Sequence, residues 1–161
     1  KEDLREPLLS IEDEYATDIM IEALFGKSSP FFKRMLGEGL ISMDFSGSLF
    51  SGYGFSTIMI GGASDNPEAV AVAIKKEIKN AKKNGIDPAA FERAKRKYYG
   101  RMVMGYNDID DCSNLLASLY FNGCKPFDDM KTIQKVSLDK VNERLAVISE
   151  KGSAISVSIP A

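Results

Sequence analysis

The chain has 161 residues, of which 44% are hydrophobic and 27% charged, values typical of one soluble globular domain. Its 21 basic and 23 acidic residues give a net charge of -2, which favours neither nucleic acid nor an anionic membrane as a partner. The absence of histidine excludes a histidine-ligated zinc site and a Ser-His or Cys-His nucleophile pair.

Both ends of the sequence bear on its origin. The amino-terminal stretch KEDLREPLL lacks a basic-then-apolar signal pattern, and no apolar run approaches the roughly 20 residues of a membrane span. The chain also lacks an initiator methionine, so we expect residues 1–161 to be a single domain excised from a longer, multi-module protein. A strand truncated upstream of Lys1 would leave an exposed sheet edge that is prone to pair with another copy.

Two helices are predicted first. Ser10 opens a capping box, and apolar residues follow it at helical spacing up to Gly26, where a C-terminal cap is expected. A second, shorter helix begins at Ser29-Pro30, with serine as the cap and proline in the first turn, and ends at Gly37.

Two segments have the composition of β-strands. Aromatic and β-branched residues from Phe45 to Ile60 surround Gly52-Tyr53-Gly54, which predicts a β-hairpin. The closing stretch SAISVSIP, residues 153–160, alternates apolar residues with serines, and Pro160 stands at its end, where a missing N–H costs least. Because an isolated hairpin is marginal, we expect the hairpin and this last strand to pair in one sheet.

Further helices are predicted between the hairpin and the last strand. Their starts are marked by Asn66-Pro67, Asp87-Pro88, Ile109 and Ser137. Helices therefore outnumber strands, and the expected fold class is α+β, with helices packed on one face of a small, mainly antiparallel sheet.

The glycine-rich stretches have a nucleotide-binding alternative. Gly26-Lys27-Ser28 ends like a phosphate-binding loop, but Ile21 stands where that motif requires glycine, and a helix precedes it. The glycines at 52–54 and 61–62 suit turns and strand ends better than a dinucleotide loop, which would open a helix. In each of these stretches we favour the interpretation that the glycines form turns or end helices and strands.

Two charged clusters also have functional alternatives. Asp108, Asp110 and Asp111 suggest a calcium loop, but its glycine and its final glutamate are missing, so helix capping is favoured. The run ERAKRKYYGR, residues 92–101, joins basic residues with tyrosines as a nucleic-acid face would. A solvated helix face is the favoured interpretation.

Three longer segments, in their order along the chain, resemble a known family: ALFGKSSPFFKRMLGEGLI (23–41), NPEAVAVAIKKEIKNAKKNGIDPAAFERAKRKYYG (66–100) and SLYFNGCKPFDDMKTIQKVSLDKVNERL (118–145). Together with the closing strand they resemble the C-terminal, non-catalytic domain of insulinase-like (pitrilysin-type) zinc peptidases. The relatives of these peptidases include the processing peptidases, and the Gly-Leu-Ile after the second helix resembles the bacterial zinc-peptidase-like subgroup.

The resemblance implies repeated α+β modules that enclose a peptide-binding chamber. It places zinc on a His-x-x-Glu-His helix in the upstream catalytic part, so this domain would hold no metal, no cofactor and no catalytic residue. Its role would be to complete the chamber wall and help hold an extended peptide. Its partner would be the upstream catalytic half or a partner subunit of a bacterial protein. The two cysteines, Cys112 and Cys124, are too few for a disulfide framework, so two thiols in a reducing cytoplasm are expected.

In active members of the family, the resemblance implies an Arg-Tyr pair that contacts substrate near zinc. The Tyr follows the Gly-Leu step and the Arg lies seven residues before it. Anchoring on Gly39-Leu40 puts Ser42 at the Tyr position and Met35 at the Arg position, with Arg34 adjacent, so this chain departs from the pattern. The candidate substrate-facing residues are Arg34, Ser42 and Asp44.

Two other functions are open at this point. The missing Arg-Tyr match leaves room for an interaction or scaffold domain of a peptidase-like protein with no role in proteolysis. A stand-alone enzyme using carboxylates or lysine would need two titratable groups in one cleft.

Overall fold

A computed structural model describes residues 9–121 and 123–159 of the chain. Its elements are α1 (Ile11–Phe25), α2 (Pro30–Gly37), β1 (Ser46–Gly52), β2 (Phe55–Gly61), α3 (Pro67–Asn84), α4 (Pro88–Gly105), α5 (Ile109–Phe121), α6 (Asp128–Lys135), α7 (Leu138–Val147) and a 3₁₀ turn (Glu150–Gly152). The amino-terminal stretch KEDLREPL and Pro160, on which two of the sequence predictions rest, lie outside the described residues.

Helix α1 is the centre of the core. It is buried on almost every side, from Tyr15 to Phe25, and it contacts α2, α4, α6, α7 and β1. A helix that is apolar all round is stable only when neighbours cover it. An aromatic cluster continues this core into α2, where the ring of Phe31 meets Phe25 edge-on at 5.1 Å and Phe45 at 6.0 Å.

The hairpin is confirmed. Strands β1 and β2 pair antiparallel from Ser46 opposite Gly61 to Gly52 opposite Phe55, and Tyr53 and Gly54 form the two-residue loop. Gly54 has a φ of +79°, in the left-handed region that such a loop requires and that glycine reaches without a Cβ penalty. Helices and one small antiparallel sheet together give the α+β class that the sequence predicts.

The predicted helix starts are confirmed at their caps. Side chains at five starts each accept a hydrogen bond from a backbone N–H three residues on: Ser10, Ser29, Asn66, Asp87 and Ser137. These short polar side chains satisfy donors that the first helical turn leaves without partners, which makes the starts readable from sequence.

The prediction for the last strand is wrong. Residues 153–159 form no strand, their side chains are exposed, and the described part of the sheet consists of β1 and β2 alone. Alternation of serine with apolar residues specifies which side chains share a face, but a strand also needs a neighbouring strand to accept its hydrogen bonds.

Helix α6 was not predicted. It has only eight residues and buries just Asp129 and Ile133, so apolar spacing cannot recur over several turns of its sequence. Its start is also unusual, because Phe127 occupies the N-cap with a φ of +66° and contributes no capping side chain. Neither signal that identified the other helices is present here.

Candidate functional site

Two of the three candidate residues lie together in the loop between α2 and β1. The Ser42 hydroxyl donates a hydrogen bond to Asp44 Oδ1. The Asp44 Oδ2 atom accepts a second hydrogen bond, 3.1 Å long, from the backbone N–H of Ala63, which follows β2. Ser42, Asp44 and Ala63, hereafter the loop cluster, therefore join the chain entering β1 to the chain leaving β2.

The loop cluster carries an exposed, ionised carboxylate. The hydrogen bond from Ser42, with help from the Ala63 N–H, holds the pKa of Asp44 below its usual range. Ser42 has no histidine beside it, and the lowered pKa of its hydrogen-bond partner Asp44 makes that carboxylate a weak general base. The cluster can therefore accept hydrogen bonds from a ligand, but it does not have the parts of an activated nucleophile.

The loop cluster depends on a close backbone contact at Gly62. A Cβ atom at this position would lie 2.6 Å from the Cα of Phe45 and 2.9 Å from its backbone nitrogen. Glycine alone allows the two loops to approach this closely, and the approach brings Ala63 within reach of Asp44.

Arg34 lies on α2 and is not part of the loop cluster. Its guanidinium forms an ion pair with Glu77 of α3, with 3.4 Å between the closest atoms, and stacks 5.6 Å from the centre of the Phe31 ring. Half of its side chain remains exposed, so it can still donate to a ligand. Met35, the position aligned with the arginine of active members, is buried in the core and does not reach the surface.

A long groove of about 800 Å³ lies beside the sheet. Its floor and walls come from α1, β2, α3 and residues 147–157, and most of the side chains are apolar. The charged side chains along it are cationic: Lys75, Lys79, Lys82 and Arg144. Sequence reasoning did not find this groove, because its walls come from four separate parts of the chain.

Partly buried hydrogen bonds fix α4 against α1 and α6. The Tyr98 hydroxyl on α4 donates to Asp18 on α1 at 2.7 Å, and the Tyr106 hydroxyl donates to both carboxylate oxygens of Asp129 on α6, at 2.8 and 2.9 Å. Burial raises the pKa of Asp18, although the hydrogen bond from Tyr98 opposes that shift. Burial and the hydrogen bond to Asp129 raise the pKa of Tyr106 to about 12.

These pairs were missed by sequence reasoning. Asp18 and Tyr98 are 80 residues apart, and no local pattern identifies them as partners. They lie between packed helices rather than in the groove, and each carboxylate has a tyrosine donor. We therefore assign them to the stability of the fold.

The basic run on α4 is only partly a solvated face, which corrects the favoured interpretation. Lys95 donates to the backbone oxygens of Gln134 and Val136, at 2.9 and 2.7 Å, and so holds the link between α6 and α7. Lys97 lies 2.5 Å from Glu22, which is mostly buried on α1. Their positive charges are thus used within the domain.

The acidic cluster before α5 is a helix cap, as predicted. Asp108 Oδ1 accepts hydrogen bonds from the N–H groups of Asp110 and Asp111, both 3.0 Å long. Within residues 9–121 and 123–159, no three His, Cys, Asp or Glu side chains are placed to hold a metal ion together.

Comparison of the chain with known proteins identifies its family. Residues 4–98, more than half of the chain, match the family model described as the Peptidase M16 inactive domain. The chain is 26% identical over 149 residues to a Bacillus subtilis (strain 168) protein named uncharacterized zinc protease YmfH, covering 92% of this chain and 34% of that protein. The chain thus spans about a third of the length of this curated relative.

Solved structures of peptidases have the same fold as this chain. An M16-like peptidase structure from Alicyclobacillus acidocaldarius superposes with a TM-score of 0.80 at 28% identity, over 87% of this chain and 35% of that one. A protease from Helicobacter pylori shares the fold, with a TM-score of 0.69 at 16% identity, over 88% of this chain and 35% of that one.

The comparisons agree with the resemblance seen in the sequence and extend it to the fold. Of the helices in the described ranges, none is both long and apolar enough to cross a membrane. The family match covers α1, α2, the hairpin, α3 and part of α4, and therefore includes the loop cluster. The chain belongs to the Peptidase M16 inactive domain family and is a non-catalytic, peptidase-associated domain.

Proposed function

We propose that this domain completes the wall of a peptide-binding chamber in a zinc-dependent peptidase whose catalytic residues lie in an upstream half. The observation that carries the proposal is the match to an inactive domain in a chain that spans only about a third of its zinc-protease relative. In this proposal, the non-catalytic third of the protein contributes by forming part of the wall around the catalytic site.

The zinc of such a peptidase does not fit this chain. Structural and catalytic zinc sites use three or four nitrogen, sulfur or oxygen ligands. The chain has no histidine, and its described acidic and cysteine side chains form no cluster of three. Zinc therefore belongs to the upstream half in this proposal, and no chemical step passes through residues of this domain.

The loop cluster and Arg34 are the proposed contacts to an extended peptide. A peptide in extended form offers backbone N–H donors and C=O acceptors. Asp44 supplies an exposed acceptor whose orientation is held by Ser42 and Ala63. Arg34 supplies a half-exposed donor on the neighbouring helix, which approximates the arginine of active members from one residue away. Such contacts position a substrate without reacting with it.

The parent protein is proposed to work in the cytoplasm of a bacterium. Cys112 and Cys124 are both thiols, as a reducing compartment favours. The proteins named above come from bacteria.

Reconstitution from two pieces tests the proposal. The upstream half and this chain are produced separately, each is checked for folding by circular dichroism, and hydrolysis of a fluorogenic peptide is followed for each piece and for the mixture. We expect zinc-dependent cleavage only in the mixture. Full activity of the upstream half alone would refute chamber completion and favour a scaffold role, and cleavage by this chain alone would refute a non-catalytic domain.

A further inference from the structure

A second, smaller pocket of about 120 Å³ opens between the end of α1, the start of β1 and the second half of α4. Four charged residues line it, and three of them are cationic: Lys27, Lys97 and Arg101, with Glu22 as the single carboxylate. None of these four lines the groove beside the sheet. We call this site the cationic pocket.

The cationic pocket has more positive charge than its own carboxylate uses. Lys97 Nζ lies 2.5 Å from Glu22 Oε1, whereas the closest atom of Arg101 is 3.8 Å from Glu22 Oε2. Lys27 is exposed and forms no ion pair within the described part of the chain. The C-terminal end of α1 adds only about half a negative charge. Lys97 therefore neutralises Glu22, and more than one positive charge remains unmatched.

Two glycines keep the pocket open. A Cβ atom at Gly26 would overlap the carboxylate of Glu22, and one at Gly47 would lie 2.6 Å from Cγ2 of Ile21. All four residues line the pocket. Any other residue at either glycine would displace a lining side chain, so both the open volume and the position of the Glu22 carboxylate depend on glycine.

We propose that the cationic pocket binds a carboxylate of a peptide substrate, either an acidic side chain or the C-terminal carboxylate. Arg101 offers a planar pair of donors that matches a carboxylate, and Lys27 adds a second positive charge. Glu22 disfavours a dianion such as phosphate, because a second negative charge would meet its own. The pocket wall includes Phe45 and Ser46, which directly follow Asp44 of the loop cluster, so both peptide contacts lie at the entry to β1. That the carboxylate belongs to a peptide rests on the proposed function.

Peptide binding to the complete parent protein tests this inference. Three peptides of about ten residues share one sequence and one dye: an amidated form without acidic residues, the same peptide with a free C-terminal carboxylate, and an amidated form with glutamate at every third position. Fluorescence anisotropy measures Kd, with a chelator present so that a zinc-dependent peptidase leaves the peptides intact. The variants are Arg101→Gln and Lys27→Gln. The matched control is Arg93→Gln, which removes an exposed cation of the same helix that does not line the pocket.

We expect at least one carboxylate-bearing peptide to bind the unchanged protein about three- to tenfold more tightly than the neutral peptide. Arg101→Gln and Lys27→Gln should each reduce this gain without changing the Kd of the neutral peptide, and Arg93→Gln should preserve it. A gain confined to the free C-terminus or to the glutamate form would identify the source of the carboxylate and support the proposal.

No gain for either carboxylate, no measurable binding of any peptide, or a gain that survives Arg101→Gln would each overturn the proposal. Equal losses in Arg101→Gln and Arg93→Gln would also overturn it, because they would show a diffuse electrostatic attraction instead of a site. Full cleavage activity of the upstream half alone would refute chamber completion, whereas a carboxylate gain lost only in the pocket variants would still establish this site.

Discussion

Substitution of Gly62 should destabilise the domain because it forces two loop backbones apart. In Gly62→Ala the new Cβ would lie 2.6 Å from the Phe45 Cα, well inside ordinary van der Waals separation, and the nearest atoms are backbone. Phe45 is buried in the aromatic cluster and cannot move away freely. Overpacking of this kind typically costs about 1–3 kcal/mol.

Gly61 provides a matched control one residue earlier. A Cβ there meets nothing within 4 Å, and its backbone is not in the left-handed region. Gly61→Ala should therefore be neutral or stabilise the domain by about 0.4–1 kcal/mol, because alanine reduces the freedom of the unfolded chain.

Urea unfolding followed by circular dichroism separates the two variants. With a slope of about 2 kcal/mol/M, Gly62→Ala should lower the midpoint by about 0.5–1.5 M, while Gly61→Ala should leave it unchanged or raise it. The Ala63 amide should also exchange faster in Gly62→Ala, because the shift pulls it from Asp44. Equal midpoints for both variants would refute the close-approach argument.

Three further outcomes are expected. Tyr106→Phe removes the hydroxyl that donates to buried Asp129 and should lower the free energy of unfolding by about 1–3 kcal/mol; a loss below about 0.5 kcal/mol would contradict this role. Burial opposes ionisation of Asp13, but the hydrogen bonds from Lys140 and Ser10 outweigh it and lower its pKa, so its contribution is present above about pH 4 and lost as pH falls through the folded value. Acid unfolding of Asp13→Asn should therefore depend less on pH than that of the unchanged protein, and equal slopes would contradict it. In the parent protein, Asp44→Asn should raise KM for a peptide roughly two- to tenfold with kcat unchanged, and an unaltered KM would remove Asp44 from the peptide-facing surface.

The parts of the fold that were predicted correctly, the helix starts and the hairpin, depend mostly on interactions between residues close together in the sequence. Capping side chains such as Ser29 and Asn66 act over three residues, and the Tyr53-Gly54 loop fixes the hairpin from its own two residues. The physical cause is contained in a few neighbouring residues, so a single sequence displays it.

The features that were missed depend on distant parts of the chain. The alternation of residues 153–159 describes a strand correctly in side-chain pattern but says nothing about a partner, and the described sheet offers none. The Asp18–Tyr98 pair and the groove likewise exist only after helices pack. The loop cluster was found partly from the sequence and partly from the structure. Ser42 and Asp44 were selected through a family resemblance, whereas their contact with Ala63 became visible only in the fold.

The chemistry along the groove bears on the stand-alone enzyme that the sequence left open. Acid–base catalysis needs two titratable groups of suitable pKa in one cleft. In the described residues the groove is lined by lysines, Arg144 and apolar or hydroxyl side chains, with no carboxylate among them. Lys82 donates to the backbone oxygens of Ala146 and Ile148. The carboxylates of Asp18 and Asp129 instead hold helices together through hydrogen bonds from tyrosines. An apolar surface with a cationic rim is suited to binding a chain segment, and neither of these two carboxylates lines it.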